Sequence, residues 1–344
     1  MSESSEAVLT PKPVDVIVFV DTSSSMNEES NAVEMNLNRL LAAIVEQQDM
    51  IDVRVIVVAT YGLGAAMCIA APLGPDDCTA PGPLAPVGPQ LYQYSIGLGS
   101  GSFLDAIITT FTGEAPANPA HYDTPPVGWQ EWARPEALKA IIGMTDAASM
   151  SGNAALGDAF DAQLLALAPE QFGTAEARNY VLHAIAGFGP NTPDTDPFPP
   201  DAPIVTTECG GDTEPGQPLQ QVAIITGGLR FPLCRYENFD TLFDEIAVNV
   251  GQLTPVACDF DIPSPPAGET LDPDTLEVEY LPAGVAPGEV FHQVPSEAEC
   301  EDDAFWVDAT SIHLCDTACT LVQSDSMARV DIRYGCDVGY QPSG

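Results

Sequence analysis

An acidic and two hydroxyl side chains stand at alternate positions directly after an apolar run. Asp21, Ser23 and Ser25 follow the pattern Asp-x-Ser-x-Ser. A carboxylate and two hydroxyls that converge from one tight loop offer oxygen ligands alone, which is the donor set that Mg²⁺ and Ca²⁺ prefer. The alternative for the same residues is a structural one, a helix N-cap followed by a hydroxyl-rich turn.

The elements around this loop decide between the two readings. The preceding residues Val16 to Val20 are apolar and mostly β-branched, which is typical of a strand buried on both faces of a parallel sheet. The residues after such a strand lie at its carboxyl end, where open α/β sheets bind ligands. A second apolar strand, 138–144, runs into Thr145 and Asp146. We therefore expect Asp146 at the same edge as Asp21.

These stretches resemble a known family. Asp21-Thr22-Ser23-Ser24-Ser25 is similar to the first loop of the metal-ion-dependent adhesion site of von Willebrand factor type A domains. Ala140 to Asp146 resembles the last loop of that site, which ends a buried strand in Thr-Asp. For the middle loop the resemblance implies residues 97–104, where hydroxyls replace the family's usual Thr. Ser100 is the first choice there and Ser102 the alternative.

The resemblance covers roughly residues 14 to 252 and implies both a fold and a function. The implied fold is α/β, a doubly wound, mostly parallel, Rossmann-like sheet. The implied cofactor is Mg²⁺ or Ca²⁺, with Mn²⁺ as a further option. The implied function is cation-dependent adhesion to a protein ligand whose acidic side chain binds the ion. The implied metal ligands are Asp21, Ser23, Ser25, Ser100 and Asp146.

Two other functions remain to be weighed against adhesion. The chain could be a surface-layer or fibre subunit in which the cation only stabilises the fold. A hydrolytic site, in which the metal activates water, would need a general base. No general base stands out in the sequence, and its four histidines lie far apart. We therefore expect a binding protein and not an enzyme.

The pattern of the chain predicts where the elements lie. Strands that alternate with helices indicate a largely parallel α/β sheet. Long Pro- and Gly-rich loops interrupt the pattern at 61–89, 113–130 and 188–219. The predicted strands are 15–20, 53–59, 91–96, 138–144, 180–186 and 229–233, and the predicted helices are 28–48, 101–110, 153–167, 220–225 and 239–250.

Composition divides the chain into three parts. Residues 1–13 are polar and predict a disordered leader, and 14–253 is the von Willebrand A-like domain. At Thr254-Pro255 the composition changes. Residues 254–344 predict a small disulfide-stapled β domain, because little helical periodicity is present and the core would be small. Its predicted strands are 276–280, 305–307, 311–314 and 328–332.

Nine cysteines lie mostly in loop-like sequence, and no Cys-x-x-Cys pair is present. This usage indicates disulfides and an oxidising compartment rather than a zinc site. Cys68 is expected to pair with Cys78, and Cys209 with Cys234. The number is odd, so at least one cysteine stays outside any internal pair. The pairing among the last five stays open: Cys258, Cys300, Cys315, Cys319 and Cys336.

Charge and hydropathy narrow the partners and the location. Ten basic and fifty acidic residues give a formal charge of −40, which repels phosphate backbones and excludes nucleic acid as a partner. No stretch approaches the roughly 20 apolar residues of a membrane helix. The polar start is not a signal peptide. We expect an extracellular, cell-surface or periplasmic protein of bacterial type, with its signal or lipid anchor absent from this chain.

Overall fold

The computed structural model describes two compact units. The first is Pro13–Val250, and the second contains Gly251–Gly344. The described residues are 13–47, 52–62, 66–74, 90–99, 103–113, 128–146, 153–210, 213–253, 258–262, 270–271, 275–325, 328–333 and 336–337.

The first unit is built on a six-stranded sheet in which every neighbouring pair is parallel. The strand order is β3-β2-β1-β4-β5-β6, so β1 lies between β2 and β4. The parallel pairing confirms the predicted, largely parallel sheet, and every residue of β1, β4 and β5 is buried. The strands are β1 Val14–Val20, β2 Val53–Val58, β3 Leu91–Tyr94, β4 Leu138–Thr145, β5 Tyr180–Ala186 and β6 Arg230–Pro232.

Helices and apolar residues cover this sheet. Ile17 and Phe19 of β1 share one core cluster with residues of helices α2, α3 and α5. Val16 and Val18, which point to the opposite face because strand residues alternate, are buried as well. The helices are α1 Asn27–Gln47, α2 Phe103–Phe111, α3 Ala155–Leu167, α4 Pro169–Phe172, α5 Gln217–Thr226 and α6 Phe239–Leu253.

Two glycines show how closely the elements of this unit fit. A Cβ on Gly143 of β4 would lie 3.1 Å from the Phe103 ring and 3.2 Å from the Leu219 side chain. The sheet therefore approaches α2 and α5 closely at this point. Gly227 ends α5 with a left-handed φ of 78°, as its position after the predicted helix indicated.

The second unit contains a mixed sheet in the order β13-β9-β10-β11-β12-β7. Only the β10–β11 pair of this sheet is parallel among the described strands. A separate pair joins β8 to β14. The elements are β7 Asp259–Asp261, β8 Thr270–Leu271, β9 Glu277–Leu281, β10 Glu289–Gln293, β11 Ala304–Val307, β12 Ser311–Leu314, helix α7 Asp316–Gln323, β13 Arg329–Arg333 and β14 Cys336–Asp337.

One face of the mixed sheet and helix α7 form the core of the second unit. Phe305 and Ile312 from the sheet pack with Ala318 and Val322 from the helix. The sequence pattern did not indicate α7, because a helix of two turns contains too few residues to display a helical period. The strands β7, β8, β10 and β14 were also missed.

Disulfides fasten both units. The predicted Cys209–Cys234 bridge is present, with the two Cα atoms 5.9 Å apart. The second unit has two bridges that the sequence left open, Cys258–Cys319 and Cys300–Cys315. Cys68 is disulfide-bonded. Cys78 lies outside the described residues, so the Cys68–Cys78 pairing stays a prediction.

Candidate metal centre

Asp21 follows the last residue of the central strand β1, and its side chain is fully buried. Its Oδ2 accepts a hydrogen bond of 2.8 Å from the Thr145 hydroxyl, and its Oδ1 accepts one of 2.9 Å from the Ser23 amide. The Asp21 amide donates to the Met144 carbonyl at 2.9 Å. These bonds hold the carboxylate between its own loop and the end of β4.

The two predicted serine ligands lie side by side in the same loop. The Ser23 and Ser25 hydroxyl oxygens are 3.1 Å apart. The loop then passes through a 3-10 turn, Ser24–Met26, into α1, and the fully buried Met26 anchors that turn. Ser23 stands at the N-cap position of the turn, but its side chain makes no capping hydrogen bond. Its hydroxyl therefore faces Ser25 instead of acting as the N-cap of the structural alternative.

Asp146 follows β4 at the same edge. The parallel register pairs Val20 with Met144, so Asp21 comes next to Thr145, and Asp146 follows Thr145 by one residue. The Asp146 carbonyl accepts a hydrogen bond of 3.0 Å from the Glu214 amide. The charge of Asp146 also acts on Glu29 in the first turn of α1. Burial raises the pKa of Glu29, and the charges of Glu28 and Asp146 raise it further.

The middle loop of the predicted site is only partly described. Ser100 and the alternative Ser102 both lie outside the described residues. The carbonyl of Leu98, two residues before Ser100, accepts a hydrogen bond of 3.1 Å from the Thr22 amide. The segment that leads to the predicted middle loop therefore lies against the Asp21 loop.

Other hydroxyls at this edge were missed in the sequence. Thr145 ends β4 and is not among the predicted ligands, yet its hydroxyl donates a hydrogen bond to Asp21 directly. The Thr22 and Thr60 hydroxyls are 3.0 Å apart, and the Ser95 hydroxyl accepts a hydrogen bond of 3.1 Å from the Tyr61 amide. The usable signal was positional, because each of these residues follows or ends a buried strand. The carboxyl edge is thus lined by neutral oxygens in addition to its acids.

The donor set fits a hard cation better than a soft one. Within the described ranges, no group of three or more His, Cys, Asp or Glu side chains could hold a metal ion. Hydroxyl oxygens can also act as metal ligands, and the distance between two of them can be compared with the ligand spacing of a metal site. In an octahedral Mg²⁺ site with bonds of about 2.1 Å, adjacent ligands are about 3.0 Å apart. The Ser23 and Ser25 hydroxyls are hydrogen-bonded to each other at 3.1 Å, and two adjacent positions of such a site would accommodate oxygens at that separation.

Comparison with known proteins gives a single weak structural match to report. No family model matches the chain, and no curated protein matches it significantly. The chain is similar to the open conformation of the pilus adhesin SpaC from Lactobacillus rhamnosus GG, with 12% identity and a TM-score of 0.36. The match covers 98% of this chain and 41% of the adhesin chain, so the chain spans about two fifths of that protein's length. A similarity of this size establishes neither a family nor a function.

Two further findings bear on location. No helix in the described part of the chain is long and apolar enough to cross a membrane. Three bridges are formed among the described cysteines. Disulfides of this kind persist in oxidising environments, such as the cell exterior or the periplasm.

Proposed function

We propose that the parallel-sheet unit is a binding module of the von Willebrand A type, which binds a protein partner through a divalent cation at the carboxyl edge of its sheet. The observation that carries the proposal is the arrangement of Asp21, Ser23 and Ser25. A buried carboxylate held by two hydrogen bonds stands beside two hydroxyl oxygens at the spacing of adjacent metal ligands.

The strand order supports this position for the ion. The order 3-2-1-4-5-6 is the one in which doubly wound sheets bind ligands where the strand order reverses. That point lies between β1 and β4, because the chain continues from β1 to β2 on one side and enters β4 on the other. Asp21 follows β1 and Asp146 follows β4. The two predicted carboxylates therefore flank the crevice in which such folds bind ligands.

The chemistry of the ligands supports an acidic partner. Ser23, Ser25 and Ser100 would hold the ion through neutral oxygens, so the ion keeps much of its positive charge. A chain with a formal charge of −40 repels acidic partners at most of its surface. A bound divalent ion inverts the field locally. A carboxylate from the partner is then a better ligand for an open coordination position than water is.

Calorimetric titration with Mg²⁺, Ca²⁺ and Mn²⁺ tests the site. The intact protein should bind Mg²⁺, Asp21→Asn and Asp146→Asn should lose that binding, and Ser23→Ala should weaken it. Glu170→Gln is the matched control, since it removes an exposed acidic charge from α4, away from this edge. Unchanged stoichiometry and affinity in both aspartate variants would sink the proposal.

A second experiment separates adhesion from a structural role of the cation. Peptides with and without Glu or Asp are screened for binding in Mg²⁺ and in chelator. Adhesion predicts that the best binders are acidic and that chelator releases them. If Mg²⁺ raises the melting temperature but peptide binding is the same in chelator, the ion only stabilises the fold, as in a surface-layer or fibre subunit.

A further inference from the structure

A histidine in the second unit is held between two carboxylates. His313 lies on β12, and its backbone partner on the edge strand β7 is Asp259. The His313 Nδ1 and the Asp259 Oδ1 are 2.5 Å apart. On the other side of the ring, Nε2 lies 3.3 Å from the Asp308 Oδ2. Asp308 is in the turn between β11 and β12, so the imidazole joins an edge strand to a turn.

An aromatic ring completes the surroundings of the imidazole. Trp306 on β11 is the backbone partner of His313, and the two rings stack with centroids 4.0 Å apart and planes at 19°. A cation above an indole ring gains a further favourable interaction. The imidazole is therefore placed where its charged form is favoured by three neighbours.

The geometry distinguishes the two protonation states. A neutral imidazole has one N–H and one lone pair, so it can donate to one carboxylate only and presents a lone pair to the other. An imidazolium donates to Asp259 through Nδ1 and places its second N–H, on Nε2, at ion-pair distance from Asp308. Among the described residues, His313 is the only cationic group within ion-pair distance of either carboxylate. Loss of its proton thus leaves two negative charges beside one ring.

The ionisation behaviour agrees with this geometry. Burial alone would lower the pKa of His313, but the hydrogen bonds and charges of Asp259 and Asp308 outweigh it and raise the pKa above its ordinary value. Backbone amides of Thr310 and Ser311 hold the pKa of Asp308 down, at about 2, so this carboxylate stays ionised. Asp259 from β7 and Asp308 from the turn are the titratable groups that act on His313, and Trp306 from β11 carries no charge.

We propose that His313 is a proton-controlled latch on the edge strand β7, closed while the imidazole is protonated and loosened when it loses its proton. β7 has three residues, and in the mixed sheet it pairs with β12 alone. The Cys258–Cys319 bridge restrains the residue before Asp259, so the opening is local. The latch therefore controls how firmly β7 is held on its own sheet, and its opening uncovers the backbone edge of β12.

Amide hydrogen exchange of the full chain at about pH 5.5 and about pH 9 tests the latch, since these values bracket the titration of histidine. After correction for intrinsic exchange rates, the β7 amides and their partners on β12 should lose protection at the higher pH. We expect the protection factors to fall by about threefold to tenfold. This is the change that corresponds to the loss of a charged hydrogen bond with one exposed partner.

Variants assign the effect to the latch. His313→Gln should show the weaker protection at both pH values. His292→Gln is the matched control, because His292 is the other histidine of this sheet, is half exposed and pairs with Glu301 at 3.6 Å. That variant should keep the full pH dependence. If His313→Gln fails to fold, Asp259→Asn keeps the imidazole and should abolish the pH dependence. Equal protection of wild-type β7 at both pH values, or an unaltered pH difference in His313→Gln, would overturn the proposal.

Discussion

A buried aspartate lies at each edge of the parallel sheet, and the two have different hydrogen-bond partners. Asp15 near the start of β1 and Asp21 just beyond its end are both fully buried. The Asp15 carboxylate faces the guanidinium of Arg134 at 2.8 Å and accepts a hydrogen bond of 2.6 Å from the Arg134 amide. The Asp21 carboxylate accepts hydrogen bonds from the Thr145 hydroxyl and the Ser23 amide.

Further contacts extend this difference along both edges. At the amino edge, Asp161 makes two hydrogen bonds of 2.9 Å to Arg178, which precedes β5. The Lys139 ammonium there donates to three backbone carbonyls. At the carboxyl edge, Glu29 and Asp146 add negative charge beside the hydroxyls. Internal cations bind the amino-edge carboxylates, whereas a hydroxyl and a backbone amide bind Asp21 at the carboxyl edge, where we propose a cation from solution.

Exchanging the carboxylates for amides gives the largest contrast between the edges. Asp15→Asn should lower the free energy of unfolding by about 2 kcal/mol, because it removes one buried charged partner of the Arg134 guanidinium, which keeps Asp52 as its second carboxylate. It should leave Mg²⁺ affinity intact. Asp21→Asn should do the reverse, with loss of Mg²⁺ binding and a smaller stability change. Denaturant unfolding and calorimetry on both variants measure this, and the comparison fails if Asp15→Asn costs less than Asp21→Asn.

The Cys209–Cys234 bridge restrains the long loop at the carboxyl edge. The Cys209 amide donates to the Gly187 carbonyl just beyond β5, and the bridge closes a separation of 25 residues. The double variant with Ser at both positions should lose about 3 kcal/mol of unfolding free energy, since the open loop gains entropy in the unfolded chain. Denaturant unfolding against the oxidised wild type measures it. A loss below about 1 kcal/mol would mean that other contacts hold this loop.

Thr145 tests whether the hydroxyls of the carboxyl edge serve the site. Thr145→Val removes the donor to Asp21 and should weaken Mg²⁺ binding about fivefold to tenfold, which corresponds to a hydrogen bond of about 1 kcal/mol. Thr60→Val is the control, because Thr60 contacts Thr22 at the same edge. Calorimetry on both variants decides the matter. Equal affinities in the two variants would show that Thr145 is not special among these hydroxyls.

Acid should weaken the amino edge slightly through Asp161. Burial would raise the pKa of Asp161, but hydrogen bonds from Arg178 and Tyr180 and the charge of Arg178 lower it below its ordinary value. When folding lowers the pKa of a carboxyl group, the group stabilises the fold at any pH above its ordinary pKa. That stabilisation is lost as the pH falls through the lowered pKa of the folded state. Unfolding free energies of the wild type should therefore fall below about pH 4, by less than about 1 kcal/mol for this group. Asp161→Asn should flatten that part of the pH profile, and an unchanged profile would contradict the assignment.

The sheet could be derived from sequence because its signals are local. The apolar runs of β1, β4 and β5 are continuous since both faces of the sheet are buried, and each run marks a strand by itself. The loop that holds Asp21, Ser23 and Ser25 is equally local, since alternate positions after one strand keep these side chains together. In the second unit the strands are shorter and α7 has only two turns, so several elements gave no sufficient pattern.

The tertiary structure decided every relation between distant parts of the chain. Thr145 meets Asp21 across 124 residues, and Arg134 meets Asp15 across 119. The sequence indicated at most the edge on which Thr145 lies, and neither contact itself could be read from it, because each depends on how distant segments come together beside β1. The choice of Cys258–Cys319 and Cys300–Cys315 among five cysteines arises in the same way. The sequence determines local spacing, whereas distances between strands are set only when the sheets pack. Both the latch at His313 and the hydrogen bond from Thr145 to Asp21 depend on those distances.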